Sequence, residues 1–280
     1  MSSRLGATAY HFRGVDPAHH HRCDIKTKII LPHRFSEPAE NKESPIDIDG
    51  IINVNKPTGA TSARVVDWVR RITGVRKSGH AGTLDPAADG VLIICQGRAT
   101  KLVEQFMGLP KVYRTVARLD VTSSSFDSDR PHEPVEIARV PSESEVIAAL
   151  ARFVGKIQQV PPAVSALKIG GQPSYKLERQ GRAVELAPRE VQIYSNTLLS
   201  YAWPEIRFDT HCGRGTYIRA LIRDLGAALG VGGCLTGLTR LAIGPFRVEE
   251  AWTRERMEQA KMADYLIPIE RARELLTNRP

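Results

Sequence analysis

Long apolar runs are missing from this sequence. The longest, Val91-Leu92-Ile93-Ile94-Cys95, falls far short of the roughly 20 residues that cross a bilayer, which excludes a membrane-spanning helix and a membrane partner. Cysteine is scarce: Cys23, Cys95, Cys212 and Cys234 are all there is, too few and too scattered for a disulfide framework. With no Cys-x-x-Cys pair, no zinc or other metal site is expected, and the compartment read from this is reducing and cytoplasmic. A phosphate-cradling Gly-x-x-x-x-Gly-Lys loop is absent, as is any internal repeat. Acidic residues are in deficit, 31 against 39 Lys and Arg, for a net charge of +8. That excess fits a polyanionic partner, because each neutralised phosphate releases counterions, although charge alone does not single out nucleic acid.

What is present is enough for a core. At 280 residues and 42% hydrophobic content, the chain has room for one large domain or two modest ones. Residues 1–48 stand apart: they lack apolar periodicity and mix basic, His and Pro residues, as in His19-His20-His21-Arg22-Cys23. A flexible basic arm is expected there. The His/Cys cluster is too close in sequence to close a metal site alone. A cleaved targeting peptide is disfavoured because there is no secretory apolar core and Asp16 and Asp24 dilute the Arg-rich character.

From Ile48 onward two periods alternate. Ile51–Val54 reads as a strand stopped by the turn Lys56-Pro57-Thr58-Gly59. A helix follows from Thr61-Ser62, carrying Val65, Val66, Val69 and Ile72 at helical spacing up to Gly74. Ser142-Glu143-Ser144-Glu145 is a capping box, with Val146, Leu150 and Phe153 as the buried stripe and Gly155 as the expected end. Strands are expected at 112–119, 191–199 and 205–211, where Ile206, Phe208 and Thr210 share one face. The last two runs are so close that antiparallel pairing is expected. A late helix is capped by Thr216, buries Ile218, Leu221, Ile222, Leu225 and Leu229, and ends at Gly226 and Gly230. The class is α+β, a mixed and mainly antiparallel sheet flanked by helices.

The densest chemical signal is Gly79-His80-Ala81-Gly82-Thr83-Leu84-Asp85-Pro86. Its glycines allow close backbone approach, and Pro86 biases Asp85 toward an extended backbone. On spacing alone a surface turn with a capping Asp is the favoured reading. The octet, however, resembles the catalytic loop of the TruB family of tRNA pseudouridine synthases, Gly-His-(Ala/Thr)-Gly-(Thr/Ala)-Leu-Asp-Pro. Three further blocks agree in order and spacing: Asn55–Gly59, Pro162–Lys168 and Cys212–Arg219. The resemblance covers about residues 50 to 250.

It implies the pseudouridine synthase fold and a reaction on the T-loop uridine at position 55 of tRNA, whose N1–C1′ bond is broken and rejoined through C5. It implies Asp85 as nucleophile, paired with Arg219, and Tyr113 as the active-site tyrosine that packs on the base and handles protons. For Tyr113, read from the residues alone, a half-buried strand tyrosine is the plainer account. The resemblance further implies that Tyr217 stacks on the base, that His80 enters the T loop where the flipped base was, and that Leu238 lines the uracil pocket. A nucleophilic carboxylate in a desolvated pocket needs a cation beside it, which suits an Arg. A base stacked in folded RNA must be extruded and its stacking partners replaced. Lys56 is placed on the substrate, and Lys56, Lys101, Lys111, Arg114 and Arg118 are candidates for phosphate contacts. No metal or organic cofactor is implied, and a monomer acting on the tRNA T arm is expected.

Two departures from the family pattern stand out. The domains expected are the arm 1–48, a catalytic domain 49–255 and a short helical tail 256–280, with no C-terminal RNA-binding (PUA) domain; the basic arm is the expected substitute for its tRNA contact. Val121–Asp129 replaces a Thr-Asp-Thr-x-Asp-x-x-Gly turn, so altered local geometry is expected there. Two other readings remain open: a non-catalytic tRNA-binding or folding module, and the catalytic subunit of a guide-RNA particle.

Overall fold

The alternation of apolar and polar residues in the expected strands sorts their side chains onto two faces, and each face then recruits its own cover. A computed structural model describes residues 48–162, 168–169, 172–173 and 186–277; the 1–48 arm, apart from its last residue, and most of the Pro162–Lys168 block lie outside these. The strands are β1 (Gly50–Lys56), β2 (Ser78–His80), β3 (Asp89–Gln96), β4 (Lys111–Arg118), β5 (Val121–Thr122), β6 (Glu133–Pro134), β7 (Gly155–Gln159), β8 (Lys168–Ile169), β9 (Gln172–Pro173), β10 (Arg189–Ala202), β11 (Glu205–Cys212), β12 (Cys234–Ile243), β13 (Phe246–Arg247) and β14 (Ile267–Pro268). Ten of them form one sheet in the order β14-β1-β3-β12-β4-β11-β10-β7, with β13 on β12 and β2 on β3. Only β12 and β3 run parallel, and every other pair in the sheet is antiparallel. The α+β class and mainly antiparallel sheet expected from the sequence therefore hold.

Local chemistry sets the helix ends. Helix α1 (Ser62–Thr73) starts where the Thr61 hydroxyl accepts from the Arg64 amide and stops at Gly74, whose φ of +71° costs glycine nothing. After the short α2 (Val103–Gly108), α3 (Glu143–Ala151) begins in the Ser142/Glu145 capping box. It ends earlier than expected, because Gly155, at φ +103°, opens β7 instead. Helix α4 (Ile218–Leu229) ends at left-handed Gly230. Gly226 does not end it; a Cβ there would lie 2.3 Å from the Gly232 carbonyl oxygen, so this glycine lets the following turn pack against the helix. The 256–280 segment is more than a tail: β14 pairs with β1, and Ile269, Ala272 and Leu276 of the last helix (Ile269–Thr277) enter the core under β1 and β3.

The β1–β3 half of the sheet is covered on both faces, by α1 on one and by α2 and the last helix on the other. The β4–β11–β10 half packs Ile206, Phe208 and Ala117 against α3 and α4. Its opposite face carries Arg114, Arg207 and Tyr194, each exposed.

The feature that positions the site is a fork in β3. One edge of β3 pairs with β1 throughout, whereas its other edge meets β12 only at Asp89 and Gly90 and β2 only at Ile94–Gln96. The strands part there, and the Asp85 loop fills the gap. Gly90 makes the fork possible: at φ +103°, a Cβ on it would sit 2.3 Å from the Arg240 carbonyl oxygen. Gly90→Ala is expected to lose about 3 kcal/mol, combining positive-φ strain with a displaced strand, and to lower the thermal midpoint by about 6–12 °C. An unchanged midpoint in thermal unfolding would refute the close approach.

Candidate active site

A loop that presents a reactive carboxylate must have its own backbone hydrogen bonds satisfied, and this one is held from three sides. From α1, the Ser62 hydroxyl donates to the Leu84 carbonyl (3.1 Å) and accepts from the Leu84 amide (3.0 Å). From β12, the buried Arg240 donates to the carbonyls of Val91 (2.7 Å), Thr83 (3.3 Å) and Gly82 (3.2 Å). Its guanidinium thus caps a β3 carbonyl that the fork leaves without a strand partner. From the turn after β1, the Gly59 amide donates to the Pro86 carbonyl at 2.7 Å. Asp85 itself opens a tight turn, its carbonyl accepting from the Ala88 amide at 3.1 Å.

Lys56 belongs to this scaffold, which corrects its assignment to a substrate contact. Its side chain is fully buried, and its ammonium donates to the carbonyls of Pro57 (3.0 Å), Ala60 (2.8 Å) and Pro86 (3.4 Å). All three donors are spent inside the fold. Burial lowers its pKa from the ordinary 10.5 to about 8. Between those two values the unfolded chain binds a proton that the folded chain does not, so the Lys56 contribution to stability rises with pH from about 8 to 10.5. Urea midpoints at pH 7.5, 9 and 10 should rise more steeply for the wild type than for Lys56→Met; parallel curves would contradict this.

Lys111 is likewise buried, donating to the Met107 and Leu109 carbonyls at 2.5 and 2.6 Å, with its pKa lowered to about 8 by burial. Arg114 is bound bidentate to Asp209 at 3.0 and 2.9 Å, and Arg118 is paired with Asp120. Among the expected phosphate contacts, Lys101 remains exposed and outside any ion pair among the described residues.

Asp85 meets Arg219 of α4. The Arg219 guanidinium lies 3.0 Å from the Asp85 carboxylate, whose side chain keeps 38% of its exposure while that of Arg219 keeps 8%. The Nε side of the same guanidinium faces Asp127, 3.9 Å away and itself buried, so one planar group addresses two carboxylates. Burial raises the Asp127 pKa. Asp127 lies in the segment where altered geometry was expected; its role beside Arg219 was not legible, because the two are far apart in sequence. The α4 start also differs from expectation. Thr216 does not cap the helix but donates to the Gly213 carbonyl at 3.2 Å; the Gln159 side chain instead accepts from the Tyr217 amide (2.9 Å) and donates to its carbonyl (3.1 Å).

Asp85, Arg219, Tyr113, Tyr217 and Leu238 line one open cavity of about 400 Å³, within the range of ligand sites. Tyr113 faces Arg240 across the β4–β12 ladder, and burial pushes its phenol pKa up. His80 stands outside this cavity on β2; burial lowers its pKa, and its Nδ1 is buried without a hydrogen-bond partner among the described residues. Among the described residues the cavity wall is strongly cationic: Lys111, Arg189, Arg214, Arg219 and Arg240 stand against a single carboxylate, Asp85. Sequence reasoning missed Arg189, Arg214 and Arg240 as site residues. Arg240 had a visible signal, lying two residues from Leu238 on the same strand. Among the described residues no group of His, Cys, Asp and Glu is gathered as for a metal ion, and no helix is long and apolar enough to cross a membrane.

Comparison with known proteins adds an independent line. Residues 70–218 match the family model for the TruB family pseudouridylate synthase N-terminal domain, and residues 219–273 match the tRNA pseudouridylate synthase B C-terminal domain. The chain is 43% identical over 208 residues to tRNA pseudouridine synthase B of Syntrophobacter fumaroxidans, covering 74% of this chain and 68% of that protein. It is 44% identical over 226 residues to the protein of the same name from Syntrophus aciditrophicus, covering 79% and 70%. Among solved structures, a Cbf5-Nop10-Gar1 complex matches with a TM-score of 0.62 at 29% identity, over 81% of this chain and 62% of that one. An H/ACA RNP bound to a substrate RNA containing 2′-deoxyuridine matches with a TM-score of 0.59 at 26% identity, over 84% and 68%.

Proposed function

This chain belongs to the TruB family of pseudouridylate synthases, and from that membership we propose that it converts uridine-55 in the T loop of tRNA to pseudouridine, with Asp85 as the nucleophile. The observation that carries the assignment of roles is the Asp85–Arg219 pair at 3.0 Å in a cavity open to solvent. The target base leaves its stack and enters the cavity, where Tyr217 and Leu238 replace the lost contacts. The Asp85 carboxylate bonds to C1′ as the N1–C1′ bond breaks; the freed uracil turns, its C5 displaces the carboxylate from C1′, and the hydrogen on C5 leaves as a proton while N1 takes one up. Tyr113, packed on the base with Arg240 behind its hydroxyl, is the group placed to pass that proton on. His80 enters the T loop in place of the flipped base. The chemistry needs no net oxidant or reductant, because the reaction is an isomerisation.

The partner is the T arm of tRNA, met by a cytoplasmic monomer. Residues 49–255 hold the catalytic domain, and the arm 1–48 adds a contact to tRNA. A tRNA substrate is favoured over a guided RNA because the relatives at 43–44% identity carry the tRNA name, whereas the H/ACA structures lie at 26–29%. The test is tritium release from a T-arm stem-loop carrying 5-tritiated uridine, since the C5–C1′ bond cannot form without expelling the C5 hydrogen. Release is expected. Tight binding with no release would replace this reading by that of a tRNA-folding module.

A further inference from the structure

Among the described residues five cations line the cavity, and three of them are committed within the protein. Arg219 faces Asp85, Arg240 holds the loop carbonyls, and Lys111 is spent on the carbonyls of Met107 and Leu109. Two remain at the rim. Arg189, at the start of β10, is exposed and forms no ion pair among the described residues. Arg214 is paired with Glu104 at 2.9 Å, with 51% and 71% of their side chains exposed.

The pair joins two walls of the cavity. Arg214 stands in the turn between β11 and α4, and Glu104 in α2, whose Met107 lines the cavity. The Arg214 turn is rigid: the Gly213 amide donates to the Gln192 carbonyl at 2.7 Å, Gly215 takes φ +86°, and Gln159 clamps Tyr217. Its backbone is therefore fixed while its side chain is free to turn. A pair this exposed contributes little to stability and is easily broken. Glu104, left alone, stays in water and incurs no penalty of a buried charge.

We propose that the Glu104–Arg214 pair is a latch on the rim of the pocket, and that Arg214 leaves Glu104 for a phosphodiester oxygen beside the flipped nucleotide. This rests on the reading that the cavity takes a flipped uridine of RNA. A base seated in the cavity carries its phosphate with it, so the phosphate meets Arg214 at high effective concentration. A guanidinium binds phosphate through two parallel hydrogen bonds, whereas its present partner is a solvated carboxylate. Glu104 also repels any backbone that reaches the rim without displacing it. The latch therefore opposes loosely held RNA and yields to RNA whose base is already inside.

A double-mutant cycle on the full chain tests this, read in Kd for a labelled T-arm stem-loop and in KM from tritium release. Glu104→Gln is expected to tighten Kd and lower KM about threefold, since it frees Arg214 and removes the repelling charge. Arg214→Gln is expected to weaken Kd about tenfold and to reduce the slope of log K against log salt by about 0.7 to 0.9, the loss of one phosphate contact. In the Arg214→Gln background, Glu104→Gln should tighten binding clearly less than threefold, because only the repulsion is left to remove. If it tightens binding equally there, Glu104 merely repels RNA and there is no latch. An Arg214→Gln variant with unaltered Kd and salt slope would equally overturn the proposal. Both side chains are exposed, so thermal midpoints should stay at the wild-type value. Because Kd is read without turnover, the cycle still separates a latch from simple repulsion if the wild type releases no tritium, an outcome that would overturn the functional reading separately.

Discussion

Asp85→Asn is expected to abolish tritium release from the T-arm stem-loop, with a loss of at least about 10⁴-fold in kcat. The substitution keeps the size and shape of the side chain and removes only its charge and nucleophilicity. The loop will not collapse, because its position does not depend on the carboxylate. Ser62 holds both backbone groups of Leu84, Gly59 and Lys56 hold the Pro86 carbonyl, and Arg240 holds those of Gly82 and Thr83. The amide oxygen still accepts from Arg219, so the fold and the T-arm affinity should stay near wild type. Binding is expected to tighten slightly, since one negative charge leaves a cavity that faces RNA. Turnover within tenfold of wild type would remove Asp85 from the chemistry.

Most of the architecture was legible from local patterns. The Thr61 cap, the Ser142 capping box and the alternation of Ile206, Phe208 and Thr210 depend on neighbours within a few residues, which a sequence displays directly. What was not legible rests on contacts across the fold. A lysine beside a Pro-Gly turn looks like a surface charge, and only the packing of α1 against the loop turns Lys56 inward onto three carbonyls. Thr216 has the chemistry of a cap, yet no side chain caps this helix; Gln159, 58 residues away, instead pins the backbone of Tyr217 at its start. Arg240 reads as an ordinary strand residue until the parting of β3 and β12 leaves a carbonyl for it to satisfy. The Asp85 octet was conspicuous in itself, but spacing alone favoured a surface turn, and the resemblance carried it to the active site. Asp127, which bears charge beside it, comes from a distant loop and had no local signature, and Arg214 lay inside the Cys212–Arg219 block without being marked as a site residue.

Arg219→Lys is expected to cost about 10² to 10³-fold in kcat, although it conserves the charge. The guanidinium works by its shape: one terminal nitrogen lies 3.0 Å from Asp85 while Nε faces Asp127 at 3.9 Å. A single ammonium on a shorter stem cannot serve both carboxylates from one rigid plane. It would also sit where the native side chain keeps only 8% of its exposure, and such burial disfavours the charged lysine. Its positive charge would then fade as pH rises, so the activity of the variant should fall on the alkaline side at a pH where wild-type turnover is still level. The loss should appear in kcat rather than in T-arm Kd, because Arg219 is buried beside Asp85 whereas the proposed phosphate contact is on the exposed rim; removing a preorganised charge of this kind costs about 2.7 to 4 kcal/mol in the transition state. Arg219→Gln should lose more and melt earlier, since it leaves Asp127 buried without a cation. A lysine variant with wild-type kcat and a wild-type pH profile would mean that any positive charge suffices and that the two-carboxylate geometry is incidental. A loss confined to KM would place Arg219 on the RNA instead of on the nucleophile.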